Sequence, residues 1–370
     1  MSRINITQVG PYPPPYGGIS THVQRLRGRL QRAGFEVPVW CFAFCQARGP
    51  GIVNLPIRGR PACYIGWVLD ARRQLPFGIV HFHDLRTYSL WVLATVMRRQ
   101  KVVITVHNQF VLEQSSFFSR LTQWTLRQIG GYPGCRLIAV NSRIQAQLLA
   151  LGFPAAQTAV IPAFLPSEDP IRVEDLPEGI RAFGTRCRPL LSVYGIHCEL
   201  QPRWGDLYGF DLSLHALNIV RQRHPDAGLV VLTPNNRSKP YFHQLAQRAR
   251  ELGVENAVWW ETDSMPDATP LWKFSDVYLR PTTTDGDALA VREALSVGTP
   301  VVASDVGERP QGCRVFPSGN LTAFVAAIEM AIEQRHLQRP CSDLSGFEAV
   351  MRVYAELWPA LVRQEKKAHE

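Results

Sequence analysis

The segment from Asp285 to Glu293 (DGDALAVRE) crowds three carboxylates and an arginine into one short stretch. It follows an apolar run, Val277 to Leu279, and passes into a helical pattern near Ala288, so its acidic turn lies between a strand and a helix. The first N–H groups of a helix have no intrahelical partner, and the helix dipole adds positive potential there. Such a start is a phosphate site. Gly286, Asp287, Ala288 and Leu289 would supply those amides. Glu293 falls about two turns beyond the loop, where a carboxylate can accept both hydroxyls of a ribose, while Asp285 on the loop would face a sugar. Gly298-Thr299-Pro300 then ends the helix and opens another strand. The plainer alternative is a capped surface helix with Asp287 as the N-cap and Glu293 in solvent.

Three other places carry chemical groups at strand ends. Gly10 to Leu26 (GPYPPPYGGISTHVQRL) reads as a strand exit, a loop and a helix start. Gly17-Gly18 would let the backbone approach a ligand, and Ser20 or Thr21 is the expected helix cap. His107, in VVITVHN, ends a strand and is placed to bond a sugar hydroxyl. His81 and His83, in VHFHD, share a face of their strand, but no third metal ligand stands at a suitable spacing, so no metal is expected there.

The elements that must hold these groups alternate strand and helix along the whole chain, as parallel sheets covered on both faces require. One series of β-rich runs covers Ile4 to Val9, Val37 to Phe42, Ile79 to Phe82, Val102 to Val106 and Leu137 to Val140. A second covers Leu190 to Val193, Gly228 to Leu232, Ala257 to Trp260, Val277 to Leu279 and Val301 to Ala303. Thr21 to Ala33 and Ser119 to Ile129 show helical periodicity. Between the series, residues 166–188 hold Pro166, Pro170 and Pro177 and read as a linker. The expected organisation is domain 1–165, linker 166–188, domain 189–345, and a final helix within 346–370 that crosses back to the first domain.

A chain of 370 residues suits two domains, and 46% apolar with 19% charged residues describes a globular protein. No apolar run is long enough to span a bilayer, and MSRINITQVG lacks the pattern of a signal peptide, so a cytoplasmic place is expected. The eight cysteines are scattered and read as reduced thiols. A net charge of +9 asks for an acidic partner, and no nucleic-acid-binding signature is present. Arg25, Arg27, Arg29 and Arg32 on one helix, and Phe117, Phe118, Leu121 and Trp124 with Arg120 and Arg127 on another, would suit a peripheral position on an anionic membrane face.

The Asp285–Asp305 string resembles that of retaining glycosyltransferases of the GT-B fold, in the family 4 or group 1 style. These carry two carboxylates separated by seven residues, then a helix of small residues and a Gly-x-Pro-Val-Val strand. Glu293, Ala294, Gly298, Pro300, Val301, Val302, Ala303, Ser304 and Asp305 fit; Asp285 stands where the family usually has Glu. The resemblance implies an α/β fold of two doubly wound Rossmann-like domains facing a central cleft. It also implies Glu293 on the ribose, His107 on the transferred sugar, Gly17, Gly18 and Gly195 near the donor, and Asn141 with Arg143 on the acceptor side. Two departures stand out. Ile196 follows Gly195 where an arginine is expected, and Tyr208 precedes Gly209 where a lysine is expected. Neither can neutralise a diphosphate, so Arg203, Arg237, Lys239, Arg280 and Arg292 are the candidate replacements, Arg203, Arg280 and Arg292 foremost.

The function so implied is retaining transfer of a sugar from a nucleotide sugar to a glycan or lipid-linked glycan, in cell-surface polysaccharide synthesis, with no cofactor and no metal. A relative that has lost catalysis and serves as a binding or scaffolding subunit is the alternative, and Ile196 and Tyr208 are its grounds.

Overall fold

The computed structural model describes residues 5–14, 16–42, 46–55, 78–83, 92, 95–96, 100–107, 117–167, 169–341 and 346–359. The chain divides into two compact units, Met1–Leu165 with Ser345–Glu370, and Pro166–Leu344.

The first unit is built on strands β1 (Asn5–Val9), β2 (Val39–Phe42), β3 (Ile52–Leu55), β4 (Gly78–Phe82), β5 (Lys101–Val106), β6 (Cys135–Ala139) and β7 (Thr158–Val160). They lie in the order β3-β2-β1-β4-β5-β6-β7, every neighbouring pair parallel. A parallel sheet is covered on both faces, which is why β5 reads as a continuous apolar run with all but Lys101 buried. On one face Val80, Phe82, Val102 and Ile104 meet Leu126, Ile129, Ile144 and Leu148. On the other, Ile6, Ile79, Val103 and Ile138 meet Leu26 and Leu30 of the Gly18–Arg32 helix. That face is completed by Val350, Val353, Tyr354 and Leu357 of the Phe347–Leu357 helix, so the last described helix belongs to the first unit's core.

The second unit holds β8 (Leu190–Tyr194), a small antiparallel hairpin β9–β10 (Leu200–Gln201, Gly205–Asp206), β11 (Gly228–Leu232), β12 (Val258–Glu261), β13 (Val277–Arg280), β14 (Val301–Ser304) and β15 (Cys313–Phe316). The six-stranded parallel sheet runs β12-β11-β8-β13-β14-β15. By order along the chain this is 3-2-1-4-5-6, the dinucleotide-fold arrangement, whose strand order reverses beside the first strand. Ligands bind at that reversal, outside the C-terminal ends of the strands. Here it falls between β8 and β13.

Residues 166–188 differ from the linker their composition suggests. Glu178–Arg186 is a helix with Ile180 and Phe183 buried, and the Gly179 backbone lies so close to Trp259 that a Cβ there would meet the indole at 2.4 Å. Pro177, read as a breaker, stands at the N-cap, where a proline's fixed φ suits the approach to a helix. The Gly18–Arg32 helix also starts earlier than expected: Gly17 is its N-cap with no side-chain cap, and Ser20 Oγ donates back to the Gly17 carbonyl at 3.1 Å.

Candidate functional site

At the β8–β13 reversal, Arg280 ends β13 and its guanidinium grips Asp285 with both arms, Nε to Oδ2 at 2.9 Å and Nη2 to Oδ1 at 2.9 Å. Arg309 reaches the same carboxylate from the loop after β14, Nη1 to Oδ2 at 2.8 Å, and donates to the Ser304 carbonyl at 2.8 Å. The side chains are nearly closed off, Asp285 at 6% exposure and Arg309 at 3%. Burial alone would raise the Asp285 pKa, but the two guanidiniums hold it well below the ordinary carboxylate range. Against the same burial, Asp285 keeps Arg280 firmly protonated. Two cations on one anion leave a net positive charge at the strand ends. Asp285 is thus held as the counter-ion of two arginines.

The ring of Tyr208, standing where the resemblance asks for a lysine, lies beneath this cluster with the Arg280 guanidinium 5.3 Å from its centroid. Gly195 makes room for that ring: a Cβ on it would lie 2.4 Å from Tyr208 Cγ. Gly209 is required twice over, by φ +67° and by a Cβ position 2.3 Å from the Pro281 carbonyl. The hairpin β9–β10 occupies the segment between Ile196 and Tyr208.

The Leu289–Ser296 helix starts just beyond. Its N-cap is Ala288, with φ 16° and no side-chain cap. Asp287 pairs with Arg292 at 2.7 Å, and the N-cap position falls one residue later than Asp287. Glu293 is 7% exposed, which removes the solvated-face alternative. Its Oε2 accepts from Trp272 Nε1 at 3.1 Å, and Trp272 packs on Tyr278 with centroids 4.4 Å apart. Arg203 is exposed and lies over Trp204 at 5.1 Å. An open pocket of about 700 Å³ lies elsewhere in this unit, at the ends of β11 and β12, lined by Asn235, Arg237, His243, Trp259, Trp260 and Glu261.

In the first unit, the corresponding strand ends carry imidazoles. His81 Nδ1 meets Tyr354 Oη at 2.6 Å and its Nε2 meets Thr105 Oγ1 at 2.7 Å. His83 Nε2 meets Gln8 Oε1 at 2.5 Å, and its Nδ1 lies 3.4 Å from His107 Nε2. His22, on the Gly18–Arg32 helix, stands edge-on to His83 and His107 with centroids 5.3 and 5.1 Å away. Burial brings the His22 pKa down to about 4, the Ala163 carbonyl opposing and Arg25 assisting. Burial, then the neighbouring imidazoles, holds His81, His83 and His107 well below the ordinary value. All four are neutral at pH 7. His107 is thus part of a packed cluster rather than a lone group at a strand end.

Asn141 is buried as the N-cap of Ser142–Ala150, its Oδ1 accepting from Ile144 N at 2.8 Å, and Arg143 beside it is exposed. The expected basic face on Gly18–Arg32 is largely consumed: Arg25 Nη1 donates to the Leu165 carbonyl at 2.9 Å and Arg27 Nη2 to the Pro50 carbonyl at 2.7 Å. On Phe117–Ile129, Trp124 is 47% exposed and Arg120 and Arg127 are exposed; the side chains of Phe117 and Phe118 lie outside the described residues. The cysteines among the described residues are free thiols, with Cys45 and Cys63 outside them. No helix of the described residues is long and apolar enough to cross a membrane.

Arg309 and His22 were not singled out from the sequence. Arg309 sits in a loop whose direction no pattern reveals. His22 did carry a signal: it lies four residues before Leu26 and eight before Leu30, on the helix's buried stripe.

Two parallel sheets, the second with a helix start at its reversal point, place a ligand site at the strand ends. Residues 16–168 match the model of glycosyltransferase family 4, and residues 203–334 match that of glycosyl transferases group 1. The chain belongs to the glycosyltransferases of the GT-B fold. It is 23% identical to the phosphatidyl-myo-inositol mannosyltransferase of Mycobacterium leprae, covering 96% of this chain and 93% of that protein. It is 22% identical to the alpha-monoglucosyldiacylglycerol synthase of Streptococcus pneumoniae, over 79% of this chain and 69% of that protein. Among solved structures, HepE of Anabaena in complex with UDP and glucose superposes with a TM-score of 0.65 at 16% identity, covering 99% and 98% of the two chains.

Proposed function

We propose that this glycosyltransferase moves a sugar from a nucleotide sugar to a glycan or lipid-linked glycan acceptor, with retention of configuration. The observation that carries this reading is the uncapped start of Leu289–Ser296 at the sheet's reversal point, beside a net positive Arg280–Asp285–Arg309 cluster. Gly286 N donates to Asp285 Oδ1 at 3.1 Å, so the amides of Asp287 to Leu289 take the diphosphate, and the arginine pair supplies the charge that Ile196 and Tyr208 cannot. The diphosphate then needs no metal ion of its own. Glu293, with Trp272 fixing its carboxylate, takes the ribose hydroxyls. Preorganised positive charge at the leaving diphosphate is the main electrostatic demand of the reaction. His107 takes a hydroxyl of the sugar, and Arg143, exposed beside the Asn141 cap, meets an anionic acceptor group.

The relatives support the choice of ligands: HepE is solved with UDP and glucose, and the names of the phosphatidyl-myo-inositol mannosyltransferase and the alpha-monoglucosyldiacylglycerol synthase each contain a lipid. A lipid-linked acceptor in cell-surface polysaccharide synthesis would set the protein at the inner face of the membrane, in the cytoplasm, with Trp124, Arg120 and Arg127 against the lipid. The test is a thermal-shift screen of UDP-, GDP- and ADP-sugars. One nucleotide should raise the melting temperature, and Glu293→Ala should abolish the shift. An equal shift in that variant removes Glu293 from the donor site.

Ile196, Tyr208 and the sequestered Asp285 favour a second reading, a binding or scaffolding subunit that keeps the donor fold without the chemistry. Donor binding without any donor hydrolysis or transfer across the same panel would select it.

A further inference from the structure

In the first unit, two imidazole nitrogens are fixed as lone pairs by what their rings touch on the other side. His22 Nδ1 lies 2.5 Å from the Ala163 carbonyl, which can only accept, so Nδ1 carries the proton and Nε2 does not. That Nε2 is fully buried and has no hydrogen-bond partner among the described residues. His83 Nε2 lies 2.5 Å from Gln8 Oε1, while Gln8 Nε2 donates to Tyr354 Oη at 3.4 Å. The amide is therefore oriented with its oxygen on His83, which places the proton on Nε2 and leaves Nδ1 bare.

His107 Nε2 stands 3.4 Å from that bare nitrogen and donates to it in the metal-free protein, a proton that moves to His107 Nδ1 when an ion takes its place. One ring nitrogen from each of His22, His83 and His107 lies within 4.8 Å of the other two. Two nitrogens on one tetrahedral zinc ion, each about 2.0–2.1 Å from it, sit about 3.3 Å apart. The His83–His107 pair already has that spacing, and a His22 nitrogen lies within 4.8 Å of both.

We propose that His22, His83 and His107 form a binding site for one zinc-class divalent ion, held by three imidazoles with a fourth position open. The ion satisfies the orphaned His22 Nε2, and the Ala163 carbonyl and Gln8 act as the outer partners that orient ligating imidazoles. Neutral imidazole is the form a metal requires, and its affinity is for ions such as Zn²⁺, Cu²⁺ or Ni²⁺ rather than Mg²⁺. His81 is excluded because Tyr354 and Thr105 occupy both its nitrogens. With the ion bound, a hydroxyl contact assigned to His107 passes to the open fourth position. The site rests on the imidazole geometry alone and does not depend on the donor reading.

The test uses the full chain, stripped with a chelator and titrated with Zn²⁺ by calorimetry and with Co²⁺ by visible absorption. One ion per chain is expected, with the intense visible bands of four-coordinate cobalt and no thiolate charge-transfer band. His22→Gln should weaken binding on the order of 100-fold, and Gln8→Leu about 10–100-fold. His336→Gln, an exposed histidine, should leave binding unchanged. Each variant's metal-free melting curve reports whether it folds. Absence of stoichiometric binding in the parent protein, undiminished binding in folded His22→Gln, or a thiolate band would each overturn the proposal. The thiolate band does so even if the variants fail to fold.

Discussion

At the strand ends of the first sheet, His22, His81, His83 and His107 are buried as neutral rings; at those of the second, Arg280, Asp285 and Arg309 are buried as charges. Both clusters are polar groups removed from water, and each meets the cost differently. The imidazoles shed their protons, and their nitrogens find mostly uncharged partners. The arginines cannot shed theirs, so a carboxylate must stay with them. The first cluster can thus take up a cation, whereas the second already holds its positive charge and suits an anion.

The comparison can be broken most forcefully at Asp285. Asp285→Ala leaves two buried guanidiniums without their counter-ion and should cost about 3–5 kcal/mol of second-unit stability, read by denaturant melts. A loss within 1 kcal/mol would mean that solvent already screens the cluster.

Acid should separate the two clusters next. In metal-free protein, His22 titrates near 6.5 unfolded and about 4 folded, so the unfolded chain binds more protons between those values. Stability of the first unit therefore falls as pH drops from 6.5 toward 4, by up to about 3 kcal/mol from His22. Asp285, depressed instead, contributes stability that persists until the pH falls below its unfolded value of 3.8. Hydrogen-exchange protection at pH 7 and pH 5 should fall in β4 and β5 and hold in β8 and β13. Loss in β8 and β13 first would reverse the assignment of charge states.

A smaller effect is expected at Gly195, where an added methyl must displace the Tyr208 ring. Gly195→Ala should cost about 1–3 kcal/mol, and Tyr208→Ala should relieve part of it. Additive losses in the double variant would show that the ring is not what requires the glycine. Arg143→Ala, exposed on the first unit, should change stability by less than about 0.5 kcal/mol while raising KM for an anionic acceptor.

Much of the fold was legible because parallel strands buried on both faces are continuous apolar runs. Gly228–Leu232 was bounded correctly, and most of the other expected strands moved by only one or two residues at an end. Ile52–Leu55, Thr158–Val160 and Cys313–Phe316 were not read as strands; each is three or four residues long, and the last carries Arg314. Prolines misled at residues 166–188, since Pro177 opens a helix instead of interrupting one.

The sites were legible in one dimension only. Glu293 and the helix start follow from local spacing. Arg309 lies 24 residues beyond Asp285, and His22 lies 61 before His83, pairings that arise only once the sheets form. Nor does sequence distinguish an Asp285 that faces a ligand from one held by two arginines.

The Phe347–Leu357 helix gives the protein an order of assembly. Tyr354, wholly buried among first-unit residues and bonded to His81, is made after the entire second unit. During synthesis the second unit can close while the first waits, its sheet face from Ile6 to Ile138 covered only in part by Leu26 and Leu30. A chain cut short before residue 346 would have one finished half and one half with a partly exposed hydrophobic face. The first unit's core is therefore complete only when the Phe347–Leu357 helix has been made.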